Sequence, residues 1–345
     1  MKICVLGATG LVGHELLHLL GRAWPEAELH LYASRDRDLE YEGKTHQVRA
    51  AASLEQDDAP RGDLALVALD DDHSKRYVPR LLELGYRVVD KSNTYRLDPD
   101  VPLVVAGVNH ELVNDDVKLV ANPNCTTIPF TLAIAPLKRR WGLAEATVSS
   151  YQAISGAGAA ALDDFLAKSK DGYAEPERMG DRFDAAGYAG NVVPHAGKTD
   201  DSGFSSEERK LVNESRKILD LPRFAISAQC CRVPVAVGHY ENAWIALRDA
   251  ANVSEMETIY DDATAAPFVR HFPGPAGDNL SSLATLKYRD EALVGRIRRD
   301  WRDDSGRRFC ITVVADNLRL GAATNAVRVA SRWFPVSDDA LGLPS

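Results

Sequence analysis

Short aliphatic and β-branched runs alternate with amphipathic stretches through the first third of the chain. The runs at 2–7, 28–33, 63–69, 86–90 and 103–106 have the length of single strands. Between the first two, Leu11, Val12, Leu16, Leu19 and Leu20 recur at helical spacing around the polar Glu15, and 76–84 repeats that rhythm more briefly. Strands alternating with helices predict a doubly wound parallel sheet, because a parallel strand pair needs a long crossover between its members. The pattern changes near Asn124, where a domain boundary is expected. Beyond it, the sequence predicts a helix over 126–141, strands near 145–153, a helix near 158–169 and a Gly- and Asp-rich stretch at 171–204. A helix over 205–219 follows, with Ser205 or Ser206 as its cap and Glu207 and Glu208 in its first turn. Strand candidates near 224–235, 241–248 and 308–316 fit a mixed or antiparallel sheet. The small residues Gly321, Ala322 and Ala323 open a final helix reaching to Trp333, and the residues beyond Pro335 are expected to be loosely ordered.

Composition narrows the classes of function. A chain of 345 residues has room for two cores, and its 45% apolar and 26% charged residues are those of an ordinary globular protein. With 41 basic against 50 acidic residues, a net charge of -9 is a poor match to a nucleic-acid backbone. No uninterrupted apolar run approaches the ~18 residues of a membrane span. The amino terminus runs from Met1 and Lys2 straight into a strand and glycine, unlike a targeting segment. Neither nucleic acid nor membrane is therefore expected as a partner. Cys4, Cys125, Cys230, Cys231 and Cys310 are odd in number and lack C-x-x-C spacing, so no metal site is expected and a reducing cytoplasm fits best.

Two local patterns carry chemistry. Gly7, Gly10 and Gly13 stand in a G-x-x-G-x-x-G turn with Thr9, Leu11 and Val12, after a strand and opening a helix. There glycine lets the backbone approach a pyrophosphate, whose charge meets free N–H groups at the helix end. Glycine spacing by itself also fits a tight turn without a ligand. The second strand candidate ends in Tyr32-Ala33-Ser34-Arg35-Asp36, where an NAD site would place a carboxylate first. Arg35, next to Ser34, suits a 2′-phosphate instead and favours NADP, although Asp36 could equally pair with it in a solvated cluster. Cys125, in Asn122-Pro123-Asn124-Cys125-Thr126-Thr127, falls at a helix start supported by Pro129 in the first turn. That position favours an anionic sulfur, so Cys125 is the candidate nucleophile while the other cysteines read as buried hydrophobes. A nucleotide domain followed by such a cysteine suggests aldehyde and thioester chemistry with a hydride carrier. His239, after an apolar run and Gly238, is a candidate base, though a lone histidine is more often structural.

Seven ordered segments then resemble the aspartate-β-semialdehyde dehydrogenase family: GATGLVG at 7–13, NPNCTT at 122–127, YQAISGAG at 151–158, NVVPH at 191–195, CRVPVAVGH at 231–239, VGRIRRD at 294–300 and ADNLRLGAATNAV at 315–327. They span nearly the whole chain. The resemblance implies an α/β fold: a Rossmann-type parallel-sheet domain for NADP at 1–124 with 321–335, an α+β catalytic and dimerisation domain at 125–320, and a tail at 336–345. It implies a homodimer that converts L-aspartyl-4-phosphate reversibly to L-aspartate-4-semialdehyde and phosphate with NADPH, toward lysine, threonine and methionine. In that family Cys125 matches the acyl-carrying nucleophile, His239 the general acid/base, and Gln152 the residue that orients the acyl intermediate. Arg232 matches the arginine for the substrate α-carboxylate, Glu207 the glutamate for its amino group, and Lys210 and Arg96 the phosphate site. Ser155, Gly156 and Asn317 match cofactor-binding positions. Outside the family, Glu207 and Lys210 at i,i+3 read as a surface ion pair, and Arg96 as an exposed loop arginine.

The segments 159–190 and 273–279 match less clearly, and Ala106-Gly107 stands where many relatives carry Pro-Glu. Acyl reductases for malonyl-CoA or N-acetyl-γ-glutamyl-phosphate remain as alternatives, against which Glu207 speaks because neither substrate has a charged amine. A catalytically silent dinucleotide-binding regulator is the other alternative, and Cys125 with His239 speaks against it.

Overall fold

The computed structural model describes residues 1–170, 187–194, 196–274, 277 and 279–341. His195 of the NVVPH segment and parts of the less clearly matching 159–190 and 273–279 stretches lie outside the described residues. The chain forms two compact units, Met1–Asn124 with Ala322–Ser345, and Cys125–Gly321.

The first unit is built on a seven-stranded sheet in the order β3-β4-β2-β1-β5-β6-β7. These are β1 (Lys2–Leu6), β2 (Glu28–Ala33), β3 (Arg37–Tyr41), β4 (Lys44–Ala50), β5 (Leu64–Val67), β6 (Arg87–Asp90) and β7 (Leu119–Ala121). Every pairing is parallel except the β3–β4 hairpin. β1 pairs with β2 on one side and β5 on the other, so the strand order reverses at its end, where ligands bind in open α/β sheets. Helix α1 (Leu11–Ala23) starts from that switch point and buries Leu16, Leu17, Leu19 and Leu20 against Ile3, Val5, Leu31 and Leu66, and helix α2 (Asp71–Glu83) follows β5.

Three departures from the sequence pattern occur here. The β3–β4 hairpin is polar and exposed along an edge, so apolar alternation gives it no signal. Its two-residue turn uses Glu42 at φ 48° and Gly43 at φ 73°, the left-handed pair that matches strand twist. Residues 103–106, expected as a strand, make one bridge, Leu103 to Ala121. The Asn109 side chain then takes the Val105 N–H at 2.9 Å and turns the chain aside, leaving β7 as the edge strand. The carboxy-terminal segment returns to the same core through Val327, Val329 and Ala330. Residues beyond Pro335, expected to be loose, bring Leu341 into that core, where its carbonyl accepts from Arg328 Nη2 at 3.0 Å.

The second unit holds a six-stranded mixed sheet, β11-β12-β13-β10-β8-β9. The strands are β8 (Leu143–Gln152), β9 (Ala225–Arg232), β10 (His239–Leu247), β11 (Val269–Phe272), β12 (Ala292–Arg299) and β13 (Arg308–Ala315). β8 runs parallel to β9 and antiparallel to β10, which pairs antiparallel with β13. Pro234 ends the ladder before the 235 limit expected for β9. β11 and β12 had no expectation from the sequence: the first spans four residues, and the second loses alternation where its register shifts between Gly295 and Arg298. Helix α3 (Thr127–Trp141) is buried along most of its length. Helix α4 (Ala159–Ser169) follows β8. Helix α5 (Ser206–Ile218) is capped by Ser205 in a box completed by Glu208.

Register places the chemistry on one face. Ser150 pairs with Cys230 and Glu241, and two residues along, Gln152 pairs with Arg232. Because strand side chains alternate, His239 shares the face of Glu241, and Arg232 that of Cys230. Among the described residues no helix is long and apolar enough to cross a membrane.

Candidate active site

The glycine turn of the first unit is sterically fixed. Gly7 has φ 92°, and a Cβ there would stand 2.6 Å from the Ala68 carbonyl oxygen. At Gly13 it would stand 2.2 Å from the Gly7 oxygen, whereas Gly10 meets only ordinary contact at 3.4 Å. The Gly7 and Ala8 N–H groups donate to the Tyr32 carbonyl at 2.9 and 3.0 Å, which ties the turn to the end of β2. Thr9, Leu11 and Val12 are half-buried around it. Helix α1 has Gly10 at its cap, no side-chain cap and no acidic residue in its first turn. Its terminal N–H groups and positive dipole end are thus suited to an anion. Ser34 and Arg35 are exposed at the end of β2. The Asp36 carboxylate accepts from Ala50 N at 2.7 Å, and among the described residues Arg35 has no ion-pair partner. A dinucleotide with a 2′-phosphate fits this donor set, with the turn on the pyrophosphate and Arg35 on the extra charge.

In the second unit Cys125 immediately precedes Thr126, the cap residue of α3. Its Sγ lies 3.2 Å from Nε2 of His239. The strand β10 begins at His239, and the imidazole is 1% exposed. Burial and the nearby Arg232 charge hold its pKa well below the usual histidine value, so the ring is neutral near pH 7. Its Nδ1 accepts the Ala153 N–H at 3.0 Å, while the Ala153 carbonyl accepts from Arg232 Nη1 at 2.9 Å. One peptide residue thus orients both the histidine and the arginine. Gly156 closes the cluster: a Cβ there would stand 2.9 Å from Arg232 Nη1 and 3.1 Å from His239 Cε1. Ser155 is buried and bonded to Asn317, whose Nδ2 donates to Ser155 Oγ at 2.9 Å.

The remaining candidates have different settings. Gln152 is buried, with Nε2 donating to Ser150 Oγ at 3.3 Å. Glu207 and Lys210 lie on one face of α5 as a half-buried ion pair at 2.7 Å. Arg96 belongs to the first unit, where it is buried and donates to the carbonyls of Asn122 and Lys91 at 3.0 and 2.6 Å. The cluster of Cys125, His239, Arg232, Gly156, Ser155 and Asn317 is therefore assembled within one unit.

Sequence reasoning missed the backbone of Ala153 and the turn that follows β13. Residues Arg319–Thr324 form a π turn ahead of a short helix, Asn325–Ala330, in place of one helix running from 321. Within that turn Gly321 lies against Cys125, where a Cβ would stand 3.0 Å from both the Cβ and the carbonyl oxygen of Cys125. The only sequence signal for this was the run of small residues.

A dinucleotide-type turn in one unit, and a cysteine beside a buried neutral imidazole in the other, define an oxidoreductase of the semialdehyde dehydrogenase class. Two family models of that class match: "Semialdehyde dehydrogenase, NAD binding domain" over residues 2–115 and "Semialdehyde dehydrogenase, dimerisation domain" over residues 134–320. The chain belongs to the aspartate-semialdehyde dehydrogenase family. It is 37% identical to the aspartate-semialdehyde dehydrogenase of Aquifex aeolicus over 95% of this chain and 96% of that one. The Bacillus subtilis enzyme of the same name is 32% identical, covering 96% of each. Among solved structures, aspartate semialdehyde dehydrogenase II from Vibrio cholerae, complexed with ASA, matches with a TM-score of 0.81 at 32% identity, over 96% of this chain and 98% of that one.

Proposed function

We propose that the chain catalyses NADPH-dependent reductive dephosphorylation of L-aspartyl-4-phosphate to L-aspartate-4-semialdehyde, through a thioester on Cys125. The observation that carries this reading is the 3.2 Å approach of Cys125 Sγ to Nε2 of the buried, neutral His239. Cys125 attacks the acyl carbon as thiolate and phosphate departs. Lys210 is the candidate to offset the leaving charge, and Arg96 is proposed for the same role from its match to the family. Arg232 keeps one arm on Ala153 and directs the rest of its guanidinium to the substrate α-carboxylate. Glu207 is the partner of the substrate amino group. NADPH, held by the Gly7–Gly13 turn, Ser34 and Arg35, supplies the hydride for the thioester carbon. His239 stands at the family's acid/base position and acts through Nε2, whose hydrogen faces the sulfur and stabilises the oxyanion that develops beside it before that oxyanion collapses to aldehyde and thiolate. Gln152 helps orient the acyl group.

The unit Cys125–Gly321 is proposed as the catalytic and dimerising part of a cytoplasmic homodimer, and the other unit as its NADP-binding part. The test is phosphate-dependent reduction of NADP with aspartate semialdehyde, run beside the malonyl-CoA and N-acetylglutamyl analogues. Turnover with the aspartate compound alone is expected; turnover with an analogue alone overturns the assignment.

A further inference from the structure

Asn317 is buried and makes its hydrogen bonds inside the protein. Its Oδ1 accepts the Gly238 N–H at 3.0 Å and faces the Ser155 hydroxyl at 3.3 Å, while Nδ2 donates to Ser155 Oγ at 2.9 Å. Gly238 is the residue before His239, and Ser155 is two residues after Ala153. One amide therefore bridges the two turns that hold the imidazole. Both turns are also tied directly, Ile154 N to Val235 O at 2.8 Å and Ser155 N to Ala236 O at 3.0 Å.

Asn317 is itself clamped. The buried Asp316 accepts the N–H groups of Leu318 and Arg319 at 2.9 and 3.0 Å through Oδ1, and Arg289 Nε at 2.7 Å through Oδ2. On the far side, Gly238 has φ 98°, and the Ser282 hydroxyl donates to its carbonyl at 2.8 Å.

The consequence falls on the proton of His239. Nδ1 accepts an N–H from Ala153, so it carries no hydrogen, and a neutral ring must then bear its hydrogen on Nε2. That N–H points at Cys125 Sγ, for which a thiolate is the matching acceptor. The titratable and charged groups facing the ring include Cys125 and Arg232, with Glu241 two residues along the same face of β10.

We propose that Asn317 is a positioning residue for the reaction: its amide holds the turns around His239 so that the imidazole meets Cys125 through Nε2–H. This rests on the thioester reading above, and it gives Asn317 a task separate from cofactor binding.

Site-resolved alkylation of Cys125 with iodoacetamide, read by mass spectrometry across pH, reports on the sulfur with neither substrate nor cofactor present. In Asn317→Leu the midpoint of that profile is expected to rise by about one pH unit and kcat to fall about tenfold, as for one lost hydrogen bond to a charged group. The dissociation constant for NADPH, followed by its fluorescence, is expected to stay within about twofold. Ser155→Ala removes one leg of the bridge, leaves the Gly238 bond, and is expected to fall between wild type and Asn317→Leu. An unchanged alkylation profile in Asn317→Leu, or a loss of NADPH affinity as large as the loss of kcat, overturns the proposal. If that variant does not fold, an unchanged profile in Ser155→Ala overturns it. Because the alkylation needs no turnover, these failures are distinct from a wild-type protein inactive on aspartate semialdehyde.

Discussion

A methyl group at Gly156 would press on the two side chains that meet at Ala153, Arg232 through Nη1 and His239 through Cε1. Neither can retreat easily, because both are buried and each is bonded to Ala153. Gly156→Ala is therefore expected to lower kcat/KM for the aspartyl substrate by about tenfold or more, with any loss of NADPH affinity smaller than that, since a displaced hydrogen-bonded charge costs on the order of 1.5–3 kcal/mol. Steady-state kinetics beside a cofactor titration measures both quantities. Cys125→Ser keeps the shape of the cluster and removes the nucleophile, so turnover should fall roughly 10³-fold or more with NADPH affinity retained. Near-normal rates in that variant would end the covalent mechanism. Arg35 is a different case, exposed at the end of β2 with its neighbour Asp36 already engaged by Ala50. Arg35→Ala should raise the KM for NADPH and leave that for NADH nearly unchanged, and equal losses would discredit its role on the 2′-phosphate.

Among the helices and strands, legibility followed burial. α1 and α3 were readable because apolar periodicity or a helix-start signature marks them. The start of α5 was readable from Ser205, followed by glutamates, and the capping box is present with Ser205 N donating to Glu208 Oε2 at 2.6 Å. What the sequence could not reveal is that Glu208 Oε1 also accepts Cys230 N at 2.9 Å, which fastens the helix to β9. The β3–β4 hairpin escaped because an exposed polar edge carries no periodic signal, and β12 because its register breaks at Gly295. The candidate residues themselves were named from motifs. Their assembly through the Ala153 peptide, the Asn317 bridge and the π turn depends on backbone groups and close approaches that a sequence pattern does not encode. α5 also carries Glu207 and Lys210, so its anchoring has a functional reading. Ser205→Ala should cost about 1 kcal/mol of stability, as cap losses do. Glu208→Ala, which frees two buried N–H donors, should cost more, about 2–4 kcal/mol, and should raise the KM for the aspartyl substrate. Chemical denaturation with steady-state kinetics checks the pair, and equal costs would mean that the bond to β9 contributes nothing.

Two units with separate cores need not unfold together, so stability is better read unit by unit than as a single transition. The second unit contains one group that makes its stability depend on pH in a defined direction. Glu241, on the same face of β10 as His239, is 1% exposed, and neither carboxyl oxygen has a hydrogen-bond partner among the described residues. Burial pushes its pKa well above the ordinary carboxyl range, so the folded chain keeps it protonated where the unfolded chain releases the proton. With the folded pKa raised, its contribution is fully present below the unfolded value, near 4.3, and is lost as pH rises toward the folded value. Glu241→Gln replaces the neutral acid with a neutral amide of the same shape and removes that dependence. The stability of the variant's second unit relative to wild type should therefore increase with pH, by about 1.4 kcal/mol per unit once the unfolded carboxyl has titrated. Denaturation of both proteins between roughly pH 5 and 8, followed by the fluorescence of Trp244 on β10 in variants lacking the other tryptophans, measures the difference. A difference that stays flat with pH would mean that Glu241 is ionised in the folded unit and has a cation or buried water to meet it.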